Sequence, residues 1–294
     1  MQNALSVDVI IPTVGRSSLS KAIDSVRDQT HGSVRLIVVL DDPRQESSVR
    51  ELILPDDMLI VTSGSIGGGA ARNAGLDASN SDLVAFLDDD DWWEPAKLEK
   101  QAEIVASGAA SVVFTHTVFH QSDGSTRLLP EGPFDASDSV ASYLVLRPGL
   151  RHGYGYMQSS SLLVDRRLHG HIRWDDTLPK HQDWDFIVAL SSLKDSTFAF
   201  VELPLVHVQQ GSAASISRKR TAEASQKWLD KHTALLSPRA RGDFIATQVL
   251  RSQLASFDVR GAVKTCSVLA RNRPHLSALI IGLSGTVEAL KQRQ

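Results

Sequence analysis

The stretch VAFLDDDDWWEP, residues 84–95, places Asp88, Asp89, Asp90 and Asp91 side by side between an apolar run and two tryptophans. Neighbouring carboxylates ~5 Å apart repel by roughly 3 kcal/mol per pair at an effective dielectric of ~20. An aspartate capping the helix that Pro95 opens accounts for one or two of them, not for four. Such a cluster is tolerable where a cation neutralises it. Hard oxygen donors suit Mg²⁺ or Mn²⁺, which use one or two carboxylates together with substrate phosphates. The run before the cluster, 83–87 (LVAFL), reads as a buried strand. A metal and nucleotide role at its carboxyl end is the expectation.

Working outward, residues 7–11 (VDVII) read as a strand ending at Pro12. Ser17 or Ser18 can cap the next helix, whose Leu19, Ala22, Ile23 and Val26 share one face. Residues 36–40 (LIVVL) form a second strand stopped by Asp41-Asp42-Pro43, and 58–62 (MLIVT) a third. Gly67-Gly68-Gly69 then opens a helix. Strand alternates with helix, so the predicted class is α/β: a mostly parallel sheet flanked by helices, with ligands at the carboxyl ends of its strands. Further strands are expected at 111–117, 160–164 and 196–202, and a loop over 121–139. Beyond Thr221 the pattern is helical only.

The 294 residues carry a formal charge of −3, which gives no bulk attraction to nucleic acid. A single cysteine, Cys266, excludes an internal disulfide framework and a cysteine zinc site. No basic region precedes the first apolar run, and none of the apolar runs approaches the ~20 residues of a membrane span. A cytoplasmic protein is expected. Residues 221–294 hold 11 Lys/Arg against 5 Asp/Glu, leaving 20 against 29 before them. The break follows the basic stretch 217–220. It predicts an acidic catalytic part over 1–220 and a basic helical region over 221–294.

Other motifs are weighed in the same way. Asp41 and Asp42 can receive hydrogen bonds from a base or ribose, or simply cap the turn before Pro43. The glycines match part of a dinucleotide fingerprint, but Arg72 stands where its third glycine belongs, and the preceding strand is the third, not the first. They can instead let backbone approach a phosphate while Arg72 meets negative charge. In His181-Gln182-Asp183-Trp184-Asp185 the two aspartates point about 200° apart on a helix, so one serves a pocket and the other caps or is exposed. His116 and His120 lie on a predicted strand, where four residues span roughly 13 Å, too far for one zinc ion. A nucleophile elbow is absent.

Val9-Ile10-Ile11-Pro12-Thr13, Leu40-Asp41-Asp42, Ala71-Arg72-Asn73-Ala74-Gly75 and Phe86-Leu87-Asp88-Asp89-Asp90-Asp91-Trp92 together resemble glycosyltransferase family 2, over about residues 7–218. The resemblance implies a catalytic domain of GT-A fold over 1–220, with a donor half (1–100) and an acceptor half (101–220), a sugar-nucleotide donor (usually UDP-linked), Mn²⁺ or Mg²⁺, and inversion at the anomeric carbon. By the same resemblance Pro12, Thr13 and Asp42 line the nucleoside site. Arg72 reaches the nucleotide or diphosphate, Asp88 or Asp89 contacts ribose or metal, and Asp90 holds the metal. Asp183 is the general base, although Gln182 replaces the family's Glu. His207 is the expected further contact to metal or diphosphate. A sugar-nucleotide pyrophosphorylase and a non-catalytic carbohydrate-binding protein are the rival readings. The first lacks its Gly-rich loop with lysine, and the second is disfavoured by Asp90 and Asp183 being present.

The acceptor, a glycan, lipid-linked or small-molecule hydroxyl, is expected near residues 121–158, where Tyr154 and Tyr156, with Trp174, can stack on sugar or fill core. In the basic tail, Leu276, Leu279, Ile280 and Leu283 share a helix face. That face packs on the catalytic domain, joins a homodimer, or rests on anionic lipid at the inner face of the membrane.

Overall fold

The computed structural model describes residues 4–151, 153–169, 172–209 and 221–291. The basic stretch 217–220 lies outside them. In order come β1 (Val7–Thr13), α1 (Leu19–Arg27), β2 (Val34–Leu40), α2 (Glu46–Arg50), β3 (Met58–Val61), α3 (Gly68–Ala78), β4 (Leu83–Phe86), β5 (Trp92–Trp93) and α4 (Lys97–Ala106). Then follow β6 (Val112–His120), β7 (Thr126–Leu129), α5 (Val140–Val145), β8 (Leu163–Asp165), α6 (Arg166–His169), α7 (Gln182–Ser191), β9 (Phe198–Gln209) and α8 (Ala222–His232). The chain closes with α9 (Pro238–Phe244), α10 (Arg251–Ala255), α11 (Val259–Asn272) and α12 (Leu276–Lys291).

Packing divides this chain into two compact units. The first holds the described residues up to Leu129, Met157–Asp176, and those from Ala189 through β9. All its strands join one sheet in the order β3-β2-β1-β4-β8-β6-β9-β5, with β7 paired to β6. β3, β2, β1 and β4 run parallel, as β-branched runs separated by helices require. β8 is antiparallel to both β4 and β6, so the second half of the sheet is mixed. The apolar faces of α1 and α4 close over Val9, Ile11, Val38, Ala85 and Leu163, all fully buried. Buried Asp8 accepts from Arg35, Ser79 and Ser81. Burial alone would push its carboxyl up, but the Arg35 guanidinium and the serine donors hold it below the usual range.

Two expectations change here. The predicted loop over 121–139 contains a strand, β7, which pairs back on β6 through a turn at Asp123-Gly124, where Gly124 takes a φ of +83°. The predicted strand at 160–164 begins instead as a 3₁₀ turn, Ser159–Ser161, and becomes strand only at Leu163.

The second unit, Pro130–Tyr156, Thr177–Val188 and the described residues from Thr221 on, contains helices only. Its spine runs from α9 through a π-helical segment, Ile245–Leu250, into α10. Trp228 of α8 stacks on Phe244 with ring centroids 4.7 Å apart. Fully buried Asp243 accepts from the Arg147 and His275 amides at 2.8 and 2.7 Å, which ties α5 and the start of α12 to the spine. Of the predicted apolar face of α12, Leu276, Ile280 and Leu283 are exposed and Leu279 is half-buried, while Ala278, Ile281 and Ala289 are buried, so that face does not pack into the protein.

Candidate active site

β1 and β4 are neighbours, with Ile10 opposite Phe86, so the residues after their carboxyl ends meet. Thr13 closes β1, and its hydroxyl donates to Asp89 Oδ2 at 2.6 Å. Arg16, three residues on, donates to Asp89 Oδ1 at 2.7 Å and lies 3.5 Å from Asp90 Oδ2. From α3, Arg72 is ion-paired to Asp88. Its guanidinium lies 4.6 Å from the Trp174 ring centre. Trp174 is in turn clasped by the Asn73 side chain at both backbone polar groups and meets Phe86 edge-on. Of the two roles considered for Trp174, core is therefore the one observed, and it supports the predicted nucleotide contact Arg72.

The four aspartates have four environments. Asp88 also accepts from the Ser159 hydroxyl at 3.3 Å. Asp91 is buried and accepts from Ser160 Oγ at 2.7 Å and Gln158 Nε2 at 3.3 Å. Burial pushes the Asp91 carboxyl well above its ordinary value, and the charge on Asp88 adds to this. Burial likewise raises Asp89 and Asp90, with Arg16 opposing in both and the neighbouring aspartates reinforcing. Asp88 and Asp90 keep 30 % and 25 % of their side chains exposed, against 5 % for Asp89. Thus Asp89 and Asp91 act as pegs for the turn, and Asp88 and Asp90 are the carboxylates offered to a ligand. Carboxylates crowded against one another, yet still accessible, fit a hard divalent cation. Asp90, with Asp88 beside it, would hold one.

The remaining predicted contacts are placed as follows. Asp41 is buried and saturated: it accepts from Thr62 Oγ1, the Ile66 amide and the Gly67 amide at 2.6, 3.0 and 2.8 Å. It shapes the turn that leads into α3. Asp42 accepts from the Arg44 amide at 3.1 Å and is paired with the Arg44 guanidinium at 2.7 Å. Pro12, in β1, is half-buried. His207 lies on β9 opposite Trp92 and stacks on it at 4.9 Å. Both its ring nitrogens are engaged, Nδ1 with His120 at 3.0 Å and Nε2 with Glu94 at 2.8 Å.

In the second unit, Asp183 occupies the first turn of α7 and is half-buried. His181, just before it, takes a φ of +65°, costly for a residue with a Cβ. Its ring stacks on Trp184 at 4.8 Å and reaches Ser225 Oγ at 3.1 Å, which holds that conformation. Asp185 neither caps nor is exposed, contrary to expectation. It is buried against His232 and Lys231 of α8 at 2.7 and 2.8 Å. This separates the two aspartates: Asp185 anchors α7, and Asp183 is left as the candidate base.

Sequence reasoning missed Arg16, Ser159 and Ser160. A basic residue in the loop after the first strand was the available signal for Arg16. The serines gave none, because their partners lie about seventy residues away.

The family model of glycosyl transferase family 2 matches residues 8–159. The amylovoran biosynthesis glycosyltransferase AmsB of Erwinia amylovora is 26% identical over 239 residues, covering 77% of each chain. The Escherichia coli enzyme WfgD, a UDP-Glc:alpha-D-GlcNAc-diphosphoundecaprenol beta-1,3-glucosyltransferase, is 24% identical over 226 residues, 76% of this chain and 83% of that one. S. aureus TarS 1-349, solved in complex with UDP-GlcNAc, superposes with a TM-score of 0.62 at 14% identity, over 99% of this chain and 93% of that one, and establishes the GT-A fold. With the family model spanning Thr13, Arg72 and Asp88–Asp91, the chain belongs to glycosyl transferase family 2.

Proposed function

We propose that this glycosyltransferase moves a sugar from a UDP-linked donor to a hydroxyl of a glycan or lipid-linked acceptor, with inversion, in bacterial polysaccharide synthesis. One observation carries the donor side: Thr13, Arg72 and the accessible carboxylates Asp88 and Asp90 converge at the carboxyl ends of adjacent parallel strands. The relatives act in amylovoran synthesis and on a diphosphoundecaprenol-linked sugar, which supports the acceptor class. TarS holds UDP-GlcNAc, which supports the nucleotide.

In this reading Arg72 exchanges its pairing with Asp88 for the donor diphosphate. Pro12, Thr13 and Asp42 line the nucleoside site, Asp42 doing so by releasing an exposed arginine that holds it weakly. Asp90, with Asp88 beside it, would hold Mn²⁺ or Mg²⁺; Asp89 would reach the ion or a ribose only by giving up Thr13 or Arg16. When bound, that ion stabilises charge on the leaving diphosphate. His207 would join it only by giving up Glu94 or His120. Asp183 takes the proton of the acceptor hydroxyl as its oxygen bonds to the anomeric carbon, and the bond from that carbon to the diphosphate breaks. A catalytic reach of residues 1–220 and an acceptor site around 121–158 belong to the same proposal.

The test is incubation with a panel of sugar nucleotides, with and without Mn²⁺, following free nucleoside diphosphate and the anomeric configuration of the product by NMR. Metal-dependent UDP release with an inverted product is the expected result. A retained configuration overturns the mechanism, and release from no UDP-sugar overturns the donor assignment.

A further inference from the structure

Helix α12 turns its large apolar residues away from its own unit. Leu276, Ile280, Leu283, Val287 and Leu290 are between 48% and 73% exposed. At about 100° per residue they lie within roughly 80° of arc. The opposite side carries Ala278, Ile281, Gly282, Gly285 and Ala289, all buried. That side fits the spine closely: a Cβ on Gly282 would lie 2.7 Å from Ala246 O, and one on Gly285 2.2 Å from Arg251 O. Arg251 of the spine pairs with Glu288 of this helix, and Ser277 donates to Arg147 O. At Gly282 and Gly285 the spine leaves no room for a side chain, so the helix cannot rotate to bury its leucines there.

The exposed residues recur at intervals of four, three, four and three, the narrow seam of a coiled coil rather than the broad face of a core helix. Leucine stands at one set of positions (276, 283, 290) and a β-branched residue at the other (280, 287). This alternation favours two parallel strands. The positions flanking the seam are Ser277, Leu279, Ser284, Thr286 and, at the last residue of the helix, Lys291. Flanking charges are what select a foreign helix, and like flanking charges are what penalise self-pairing. From Leu276 to Val287 both are absent. A lipid surface fits less well, since a helix lying on anionic lipid presents several Lys or Arg and α12 has one, Lys291, its last residue.

We propose that α12 is a self-association surface, its seam Leu276–Ile280–Leu283–Val287–Leu290 pairing with the same seam of a second copy about a two-fold axis. The pairing is independent of the transfer reaction. Sedimentation equilibrium of the full chain over roughly 1–100 μM, a range that brackets micromolar dimer affinities, tests it. A dimer is expected. Leu283→Glu and Leu283→Lys, each at an exposed site and each with unchanged circular dichroism, should weaken it at least ~10-fold, equivalent to about 1.4 kcal/mol. An equimolar mixture of the two variants should dimerise again, because unlike charges then face each other. A monomeric wild type, or a dimer indifferent to both variants, overturns the proposal. Leu283-dependent co-sedimentation of a monomer with phosphatidylglycerol vesicles also overturns it, and assigns the seam to lipid.

Discussion

Arg16 Nη1 donates a 2.7 Å hydrogen bond to Asp89 Oδ1 across 73 residues of sequence. Asp89 is 3% exposed, so its charge is largely cut off from water, and Arg16 is its cationic partner. Arg16→Met should destabilise the protein by about 1–3 kcal/mol near pH 8, the usual cost of leaving a buried polar group poorly satisfied. The sign with pH follows from linkage. Burial already raises the Asp89 carboxyl, so the folded state holds this proton more tightly than the unfolded state. Its contribution is therefore most favourable at low pH and is lost as pH rises through the folded value. The variant raises that value further, so its deficit should shrink as pH falls towards about 4. Thermal unfolding across this range measures it; a deficit independent of pH would show that Arg16 acts by packing alone.

Asp183 and Asp185 should respond oppositely to the same change. Asp183→Asn should lower kcat roughly 10²–10⁴-fold with UDP affinity unchanged, the signature of a general base. Asp185→Asn should instead cost about 1–3 kcal/mol of stability, because Lys231 and His232 lose a buried anionic partner and one of its two acceptor oxygens is replaced by a donor. Single-turnover rates and melting curves on both variants separate the roles. Near-normal turnover in Asp183→Asn would remove it as the base.

The parallel half of the sheet was legible in the sequence because its strands are short apolar runs, two of them followed by a chemical stop, Asp41 after β2 and Asp88 after β4; β1 runs past its expected stop at Pro12 and ends at Thr13. The same stops mark strand ends, where ligands bind, so the aspartate cluster and Arg72 were legible too. What escaped detection is long-range. Ser160 looked like the start of a strand, and only the fold brings the hydroxyls of Ser159 and Ser160 to Asp88 and Asp91. The pairing of Asp185 with His232 spans 47 residues and leaves no local pattern. The β6–β7 hairpin did carry a local signal, Asp123-Gly124 between apolar runs, which the surrounding serines and prolines obscured.

Lys97 offers a second pH test, with the opposite sign. It is fully buried, lies 3.7 Å from the centre of the Trp93 ring and donates to Leu162 O at 3.2 Å. Burial lowers its pKa well below the ordinary lysine value. The unfolded state therefore binds this proton more tightly, and stability should rise with pH between the folded value and about 10.4. Lys97→Met keeps the volume and removes the charge, so at neutral pH it should be neutral or stabilising by about 1 kcal/mol, as for other buried charges replaced by apolar groups. The variant should also lose this part of the pH slope. Denaturant melts at several pH values read both effects, and an unchanged slope would show that Lys97 does not titrate as its burial requires.

Arg72 joins the aspartate cluster to the aromatic platform beneath it. Its planar guanidinium pairs with Asp88 and lies over Trp174, and Asn73 fixes that indole through both backbone polar groups of Trp174. Lysine retains the charge but loses the fork and the stacking face. If a diphosphate takes the place of Asp88, Arg72→Lys should forfeit a charge-assisted hydrogen bond of about 1.5–3 kcal/mol. UDP affinity should then fall roughly 10–150-fold. Trp174→Phe preserves a ring beneath the guanidinium and should weaken UDP binding far less. Calorimetric titration of UDP into folded variants, checked by circular dichroism, decides it. Equal affinity in Arg72→Lys and the wild type would leave Arg72 as a neutralising partner of Asp88 and remove it from the donor site.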